Sequence, residues 1–334
     1  MFLLKGNNDT NEQSYSISTF RFWKAYWITL RPYLFFISGA AGFLGITANV
    51  QIPTYKMILG FLAFFLTYGL GQALTDVFQT DTDSISSPYR PLVRGIITKK
   101  QVLGVSLTGL FMCGFIFMVF NPCTVVPAAL GIVGLIFYTL FKRTWWGGPF
   151  WNSWIVATLP IIGKMLHTVH LSDLFNRYLI FGIISIFFSY AVFVLTGYLK
   201  DISADGQTGY QTIPVKFGWK PAVAVSLIYL LITCISSFMI IKDFVLGFSN
   251  AIEIVIFLIW IFSIVIFLLA HIQLLTIHEN EKRAFVGIEN VVRGFVLIHI
   301  AESLAFKPSL IVWGIGYYIL FELIMVIRPE KTQV

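Results

Sequence analysis

Long apolar runs without a charged residue alternate with short polar segments along this chain of 334 residues. Five of these runs are Met57–Thr75, Trp145–Gly163, Tyr178–Leu199, Pro221–Ile241 and Ile254–Ile277. Each has about the 20 residues that a helix needs to cross the hydrocarbon core of a bilayer. A longer run, Val102–Phe141, breaks at Asn121-Pro122, which predicts two crossings joined by a tight turn.

The pattern predicts an all-α, multi-pass membrane bundle with ten helical spans. We place the spans at about residues 23–50, 54–75, 101–120, 123–142, 151–168, 174–198, 219–241, 250–276, 285–304 and 309–327. The ninth span contains Glu289, Arg293 and Glu302, which should face the bundle interior because intramembrane charges are costly in lipid. Glu289 and Arg293 are four residues apart and can pair on one helix face.

Composition agrees with a membrane protein. Only 12% of the residues are charged and the mean hydropathy is +0.81, whereas soluble domains carry about 25% charged residues. Of the 23 lysine and arginine residues, sixteen fall on the predicted side of the two termini and five on the other, with Arg31 and Arg293 inside the membrane. The basic side should be cytoplasmic. We therefore expect a bacterial cytoplasmic membrane protein and no nucleic-acid partner, despite the net charge of +7.

Two acidic segments stand out against this background. "TDVFQTDTDSISSPYRP" (Thr75–Pro91) and "YLKDISADGQTGYQTIPVKFG" (Tyr198–Gly218) each follow an apolar span on the predicted cytoplasmic side. Asp76 and Asp201 are 125 residues, or four predicted helices, apart. This spacing predicts a duplicated four-helix unit with two acidic mouths around one central cavity.

The carboxylates recur at helical spacing. If the second span continues as a helix, Asp76, Gln79 and Asp83 project from one face, and Asp201 and Asp205 do the same at i and i+4. Carboxylates at the same depth on two facing helices suit Mg²⁺, which prefers oxygen ligands and bridges carboxylates to substrate phosphates.

Basic residues are interleaved with these acids on the same side, namely Arg90, Arg94, Lys142, Arg143 and Lys200. Carboxylates alone would indicate a cation pathway. Carboxylates together with arginine and lysine indicate a metal-bound diphosphate, whose oxygens need both kinds of partner.

Several motifs resemble, in matching order, those of the UbiA superfamily of intramembrane prenyltransferases. "DSISSPYRPLVRG" (Asp83–Gly95) and "KDISADGQTGYQTIPVKFG" (Lys200–Gly218) resemble its two signatures. "LRPYLF" (Leu30–Phe35) resembles the entry to its first helix, and "YTLFKR" (Tyr138–Arg143) followed by Asn152 also fits. The family has a nine-helix core. The resemblance thus implies a polar tail at 1–22, a prenyltransferase core at 23–304, and an added C-terminal helix with a short tail at 305–334.

The resemblance also implies an activity. A polyprenyl group would leave its diphosphate as an allylic cation and be transferred to a hydrophobic acceptor, for which we expect an aromatic molecule. Mg²⁺ would be the cofactor, and the catalytic carboxylates would be Asp76, Asp83, Asp201 and Asp205. The metal ligands would be these four and Gln79, and the diphosphate would be bound by Arg90, Lys142, Arg143 and Lys200.

The first motif departs from the family pattern Asn-Asp-x-x-Asp-x-x-x-Asp. The corresponding positions here are Thr75, Asp76, Gln79 and Asp83, so Thr75 and Gln79 replace two of the usual ligands. With one carboxylate fewer, we expect weaker Mg²⁺ binding or a changed metal arrangement.

Two other functions remain open from the sequence. A membrane terpene cyclase on the same scaffold would capture the cation within its own chain, and it would give a product without any acceptor. A transporter with acidic vestibules would place paired charges and broken helices near the bilayer midplane. The acids here lie at one membrane face, which ranks the transporter last.

Overall fold

The computed structural model describes residues 14–49, 51–168, 174–245 and 250–330, and within these ranges it is a bundle of helices without a β-strand. The helices are α1 (Phe20–Leu30), α2 (Phe35–Thr47), α3 (Thr54–Asp76), α4 (Thr80–Ser86), α5 (Lys99–Phe120), α6 (Val125–Lys142), α7 (Gly147–Ala157), α8 (Leu159–Met165), α9 (Arg177–Gly197), α10 (Ile202–Gln207), α11 (Ile213–Phe217), α12 (Trp219–Val245), α13 (Ala251–Thr276), α14 (Ala284–Phe306) and α15 (Ile311–Val326). Most of the predicted tail at 1–22 lies outside the described residues.

Among the described residues, eight helices are long and apolar enough to cross a membrane. They are α3, α5, α6, α9, α12, α13, α14 and α15, some of them with a flanking 3-10 turn. Helices α1 and α2 together form the first predicted span, although the pair is bent by 47° at the break between them. The chain is therefore a multi-pass membrane protein, as predicted.

The fifth predicted span, at 151–168, is wrong as a single helix. Its place is taken by α7 and α8, which have 11 and 7 residues and meet at Thr158. The break follows from Pro160, which lacks an N–H and whose ring clashes with the preceding turn of a continuing helix. Both short helices contribute residues to the cavity described below.

The core of the bundle lies between α2, α9 and α14. Helix α14 packs against α13, α2 and α9, and α9 also packs against α12 and α7. Most of α9 and α14 is buried, whereas α6 and α15 turn most of their side chains outward. The predicted pair on α14 is confirmed, since Arg293 Nη1 lies 3.5 Å from Glu289 Oε2. Arg293 also pairs with Glu322 at 2.9 Å, which ties α15 to α14.

Helices α2 and α8 approach closely through glycine. A Cβ atom added to Gly45 would collide with the carbonyl oxygen of Pro160, and one added to Gly163 would collide with the carbonyl oxygen of Gly42. Small residues allow such close backbone contacts between membrane helices. The Asn49 side-chain amide spans this contact, because it donates to the carbonyl oxygens of Gly45 and Gly163 at 3.3 Å. The crossing therefore fixes α8 against the bundle.

Replacing Gly45 by alanine should weaken this crossing. The added methyl group forces the two backbones apart, and overpacking of this kind costs about 1–3 kcal/mol. We expect a lower thermal unfolding temperature for the purified variant in detergent. Gly104→Ala is the matched control, since a Cβ there meets no atom within 4 Å. Equal unfolding temperatures for Gly45→Ala and the wild type would show that α2 and α8 are not in close contact.

Candidate active site

The first acidic segment is not one continuous helix. Helix α3 ends at Asp76, and α4 begins at Thr80. The backbone N–H of Phe78 donates to Thr75 and that of Gln79 to Asp76, so the helix tightens into i to i+3 bonds and ends. The second span therefore ends within one residue of its predicted end at 75, and a continuous helix through Asp83 does not form. Asp76, Gln79 and Asp83 nevertheless line the same cavity, because the turn brings the short helix α4 back to its rim.

The second acidic segment lies beside the first. Asp201 precedes α10 and Asp205 lies within it, with the Asp205 backbone N–H donating to the Asp201 carbonyl oxygen at 2.7 Å. Helices α4 and α10 are in contact, and the Thr82 and Thr208 hydroxyl groups form a hydrogen bond of 3.1 Å between the two segments. The structure thus brings the two predicted acidic mouths together.

Both segments open into one cavity. Its ionic end is lined by Arg31, Asp76, Asp83, Arg90, Lys142, Lys200 and Asp201. Its remaining wall is largely apolar, with residues such as Leu110, Phe117, Ile132, Leu135 and Ile162. Along α6 the lining runs from Pro127 to Lys142, which corresponds to roughly 22 Å at about 1.5 Å of rise per residue. The cavity is therefore a long apolar chamber with charges at one end.

Buried arginines neutralise the first segment. Arg31 Nη2 lies 2.8 and 3.0 Å from the two carboxylate oxygens of Asp76, and the Gln72 side-chain amide donates to Asp76 Oδ1 at 2.8 Å. Arg90 forms a direct ion pair with Asp83 and lies 3.7 Å from Asp76. All four charged side chains of this array are less than 10% exposed. The array is held together by charge-assisted hydrogen bonds within the protein.

Lys142 neutralises the buried carboxylate Asp205 of the second segment. Its Nζ lies 3.0 Å from Asp205 Oδ1 and 3.4 Å from Gln79 Oε1. The other carboxylate oxygen, Asp205 Oδ2, is buried and has no hydrogen-bond partner. Burial raises the pKa of Asp205 to about 6, with Lys142 opposing that rise. Burial also raises the pKa of Asp83, with Arg90 opposing it. Both carboxyl groups would gain from an added cation.

Arg143 lies apart from this array. It does not line the cavity but pairs with Asp81 at 3.3 Å, and the two side chains are 45% and 44% exposed. Its guanidinium group lies over the ring of Tyr210 at 4.6 Å. The structure therefore brings together Arg90, Lys142 and Lys200 of the predicted diphosphate-binding residues and leaves Arg143 at the rim. Its role in binding stays a prediction.

Tyrosines line the cavity next to the ionic end. The hydroxyl groups of Tyr138 and Tyr198 are 2.9 Å apart, and those of Tyr68 and Tyr190 are 3.2 Å apart. Lys142 Nζ lies 5.2 Å from the ring centroid of Tyr198. Electron-rich faces at this depth can stabilise a cation that forms beside the charged end.

Oxygen donors suited to Mg²⁺ are present, although they do not form a finished metal site. Among the described residues, no group of three or more histidine, cysteine, aspartate and glutamate side chains is arranged to hold a metal. Asp205 keeps one buried oxygen without a partner, and no ion pair involves Asp201 in the described part of the chain. Carboxylates of this kind are the ligands that Mg²⁺ takes in proteins. The second segment and Asp83 therefore fit the ion.

Arg31 is the residue of this array that our sequence reasoning did not include. It was assigned to the membrane interior without a partner. A buried arginine in a membrane span needs a carboxylate nearby, and Asp76 at the end of the next span was the available one. Pairing the two would have placed Arg31 at the ionic end of the cavity.

Comparisons with known proteins agree with this geometry. The UbiA prenyltransferase family model matches residues 34–289. The chain is similar to digeranylgeranylglyceryl phosphate synthase of Thermococcus kodakarensis, with 27% identity over 66% of this chain and 78% of the relative. It is also similar to the synthase of the same name from Pyrococcus horikoshii, with 29% identity over the same shares.

The fold is shared with solved structures of the family. An apo UbiA homologue from Aeropyrum pernix superposes with a TM-score of 0.63, at 18% identity over 83% of this chain and 97% of that one. A UbiA homologue from Archaeoglobus fulgidus bound to GPP and Mg²⁺ superposes with a TM-score of 0.61, at 16% identity over 83% of this chain and 99% of that one. The chain belongs to the UbiA prenyltransferase family and is a membrane-embedded enzyme that transfers a prenyl group to an acceptor.

Proposed function

We propose that the enzyme transfers a polyprenyl group from a polyprenyl diphosphate to a hydrophobic acceptor, with Mg²⁺ as cofactor. One observation carries this proposal: a single cavity joins buried acids and bases at one end to a long apolar chamber. A diphosphate head with a polyprenyl tail matches both halves, because its oxygens need cations and its chain needs an apolar wall. The GPP and Mg²⁺ bound by the Archaeoglobus fulgidus homologue support the same donor class.

The residues at the ionic end divide into two roles. Arg90, Lys142 and Lys200 bind the diphosphate oxygens, while Asp83, Asp201 and Asp205 hold the metal. Mg²⁺, when bound, neutralises the negative charge that develops on the leaving diphosphate. The protein cations do the same from fixed positions in a site of low dielectric, where each contact is stronger than in water.

The apolar chamber serves the second half of the reaction. When the carbon–oxygen bond breaks, the electron pair leaves with the diphosphate and an allylic cation remains. Tyr138, Tyr198 and Tyr190 present aromatic faces near that cation, and the apolar wall excludes water that would quench it. The acceptor then forms a bond to the prenyl carbon and loses a proton.

Two classes of acceptor are compatible with this cavity. Curated relatives at 27% and 29% identity are named digeranylgeranylglyceryl phosphate synthases. This similarity supports a lipid alcohol that carries a glyceryl phosphate. An aromatic acceptor, which the sequence led us to expect, is the competing class. Both classes would enter the same apolar chamber.

The charge distribution supports an orientation. The predicted topology assigns the two acidic segments to the side with sixteen of the 23 lysine and arginine residues, so we infer that the ionic end opens to the cytoplasm. We also infer that the core at 23–304 is the catalytic unit and that 305–334 adds α15 to its outside.

The function is tested with purified protein in nanodiscs and radiolabelled geranylgeranyl diphosphate. We expect a labelled product with geranylgeranylglyceryl phosphate, complete dependence on Mg²⁺, and loss of turnover in Asp201→Asn. Asp243→Asn is the matched control, because Asp243 is an exposed aspartate paired with Arg177 away from the cavity.

Other outcomes separate the alternatives. If labelled product forms only with aromatic acceptors, the acceptor is an aromatic molecule and not a lipid alcohol. A terpene formed without any acceptor would identify a cyclase. Failure to bind or to convert any prenyl diphosphate would contradict the proposed function and favour a transporter.

Lys142 and Arg143 provide a second test, because they are adjacent in sequence and differ in burial. Lys142→Gln should lower kcat/KM by about 100-fold, the usual loss when one charge-stabilising donor is removed. Arg143→Gln should change it by less than about threefold, since exposed ion pairs contribute little. Steady-state kinetics would check both, and unfolding temperatures would show that each variant is folded. A loss in Arg143→Gln as large as in Lys142→Gln would place Arg143 on the diphosphate.

A further inference from the structure

The first acidic segment differs from the second in how completely its carboxylate is already bound. Both oxygens of Asp76 accept hydrogen bonds from Arg31, and Oδ1 also accepts one from Gln72. Asp205, by contrast, uses one oxygen for Lys142 and leaves the other without a partner. A metal at Asp76 would find both carboxylate oxygens already bound, whereas Asp83 meets Arg90 through Oδ2 and Asp205 meets Lys142 through Oδ1.

Gln79 is occupied in a similar way. Its side-chain oxygen accepts a hydrogen bond from Lys142 Nζ at 3.4 Å, and its amide carries no charge to attract a metal. The two predicted metal ligands of the first segment outside α4, Asp76 and Gln79, therefore both face a protein cation.

The backbone at Arg31 is held in an unusual conformation. Its φ and ψ angles are 51° and 69°, in the left-handed region, between the end of α1 and Pro32. Residues other than glycine rarely adopt this conformation, and it persists where the surrounding structure requires it. Here it stands at the 47° bend between α1 and α2, where the buried side chain reaches Asp76.

The guanidinium groups keep capacity for an anion. The Nε atoms of Arg31 and Arg90 are buried and have no hydrogen-bond partner, and both residues line the ionic end of the cavity. Buried donors in proteins are almost always satisfied. Oxygens of a diphosphate in this cavity would satisfy them.

We propose that Arg31, and not a metal ion, neutralises Asp76 and contacts the diphosphate, so that Asp76 takes no part in holding Mg²⁺. This inference rests on the proposed function, which supplies the diphosphate and the metal. Arginine is suited to the task because its guanidinium group is always charged and binds a carboxylate on two atoms while keeping further donors.

Metal binding tests this assignment directly. Mn²⁺ is titrated into the full-length protein in nanodiscs with geranylgeranyl thiolodiphosphate, which does not ionise readily, and bound Mn²⁺ is measured by electron paramagnetic resonance. Asp201→Asn should raise the Mn²⁺ dissociation constant by about tenfold or more, as loss of a metal-site partner does. Asp76→Asn should raise the Mn²⁺ dissociation constant by less than about threefold, which is a loss of binding free energy well under 1.4 kcal/mol. An Asp76→Asn effect as large as that of Asp201→Asn would overturn the inference and leave the proposed function intact.

Stability provides an independent readout. Arg31→Gln leaves the Asp76 carboxylate buried without its partner and should lower the unfolding temperature by roughly 5 °C or more. The neutral pair Arg31→Gln/Asp76→Asn should recover most of that loss. The exposed pair Arg143 and Asp81 is the control. Arg143→Gln, alone or together with Asp81→Asn, should have nearly the unfolding temperature of the wild type. Additive losses at Arg31 and Asp76 would show that the two side chains do not pair, which overturns the inference. No Mn²⁺ binding by the wild type would contradict the proposed function as well.

Discussion

Charge burial at the membrane face is the constraint on which this structure depends. Asp76, Asp83 and Asp205 are at most 6% exposed at the end of an apolar bundle. A buried carboxylate without a partner is strongly destabilising. The chain places Arg31, Arg90 and Lys142 against these three acids. The bend between α1 and α2, the turn after α4 and the C-terminal end of α6 bring these three cations to their acids.

The same arrangement is what the reaction requires. An array that is balanced before substrate arrives can accept a diphosphate and a divalent cation together, because their charges largely offset one another. The apolar chamber then holds the prenyl chain and keeps water from the charge that develops. In the mechanism that we propose, stability and catalysis use one set of side chains. With the ionic end at the cytoplasmic face, as we propose, a head group and its tail would each enter a matching environment.

Much of the fold follows from the sequence because hydropathy reports membrane burial directly. Spans such as α9 and α13 are strongly apolar and were predicted at nearly their observed bounds. The break between α7 and α8 was missed because Pro160 lies inside an apolar run, and hydropathy does not register a missing N–H. The second span was predicted to end at residue 75, one residue before the observed end of α3, but whether the helix continues through the acidic segment was left open. The spacing of Asp76, Gln79 and Asp83 fits a helix equally well whether or not the backbone bonds continue.

The candidate site was predictable as a set of residue types but not as a set of pairs. The acids and bases were identified by their motifs, and the resemblance named their family. The choice of partner depends on three-dimensional geometry: Arg31 is 45 residues from Asp76, and Lys142 is 63 from Asp205. Adjacent residues also diverge, since Lys142 faces the buried array while Arg143 turns to the surface. Sequence position alone does not show which of two adjacent side chains at the end of α6 points into the array.

The most direct test of this account is the position of the metal in an experimental structure. Crystals of the enzyme with Mn²⁺ and geranylgeranyl thiolodiphosphate would give an anomalous signal for each bound ion. We expect manganese at coordination distance from Asp83, Asp201 or Asp205, with Arg31 still bound to both oxygens of Asp76 and in contact with the diphosphate. Manganese coordinated by Asp76, with Arg31 displaced from it, would contradict the proposed role of Arg31.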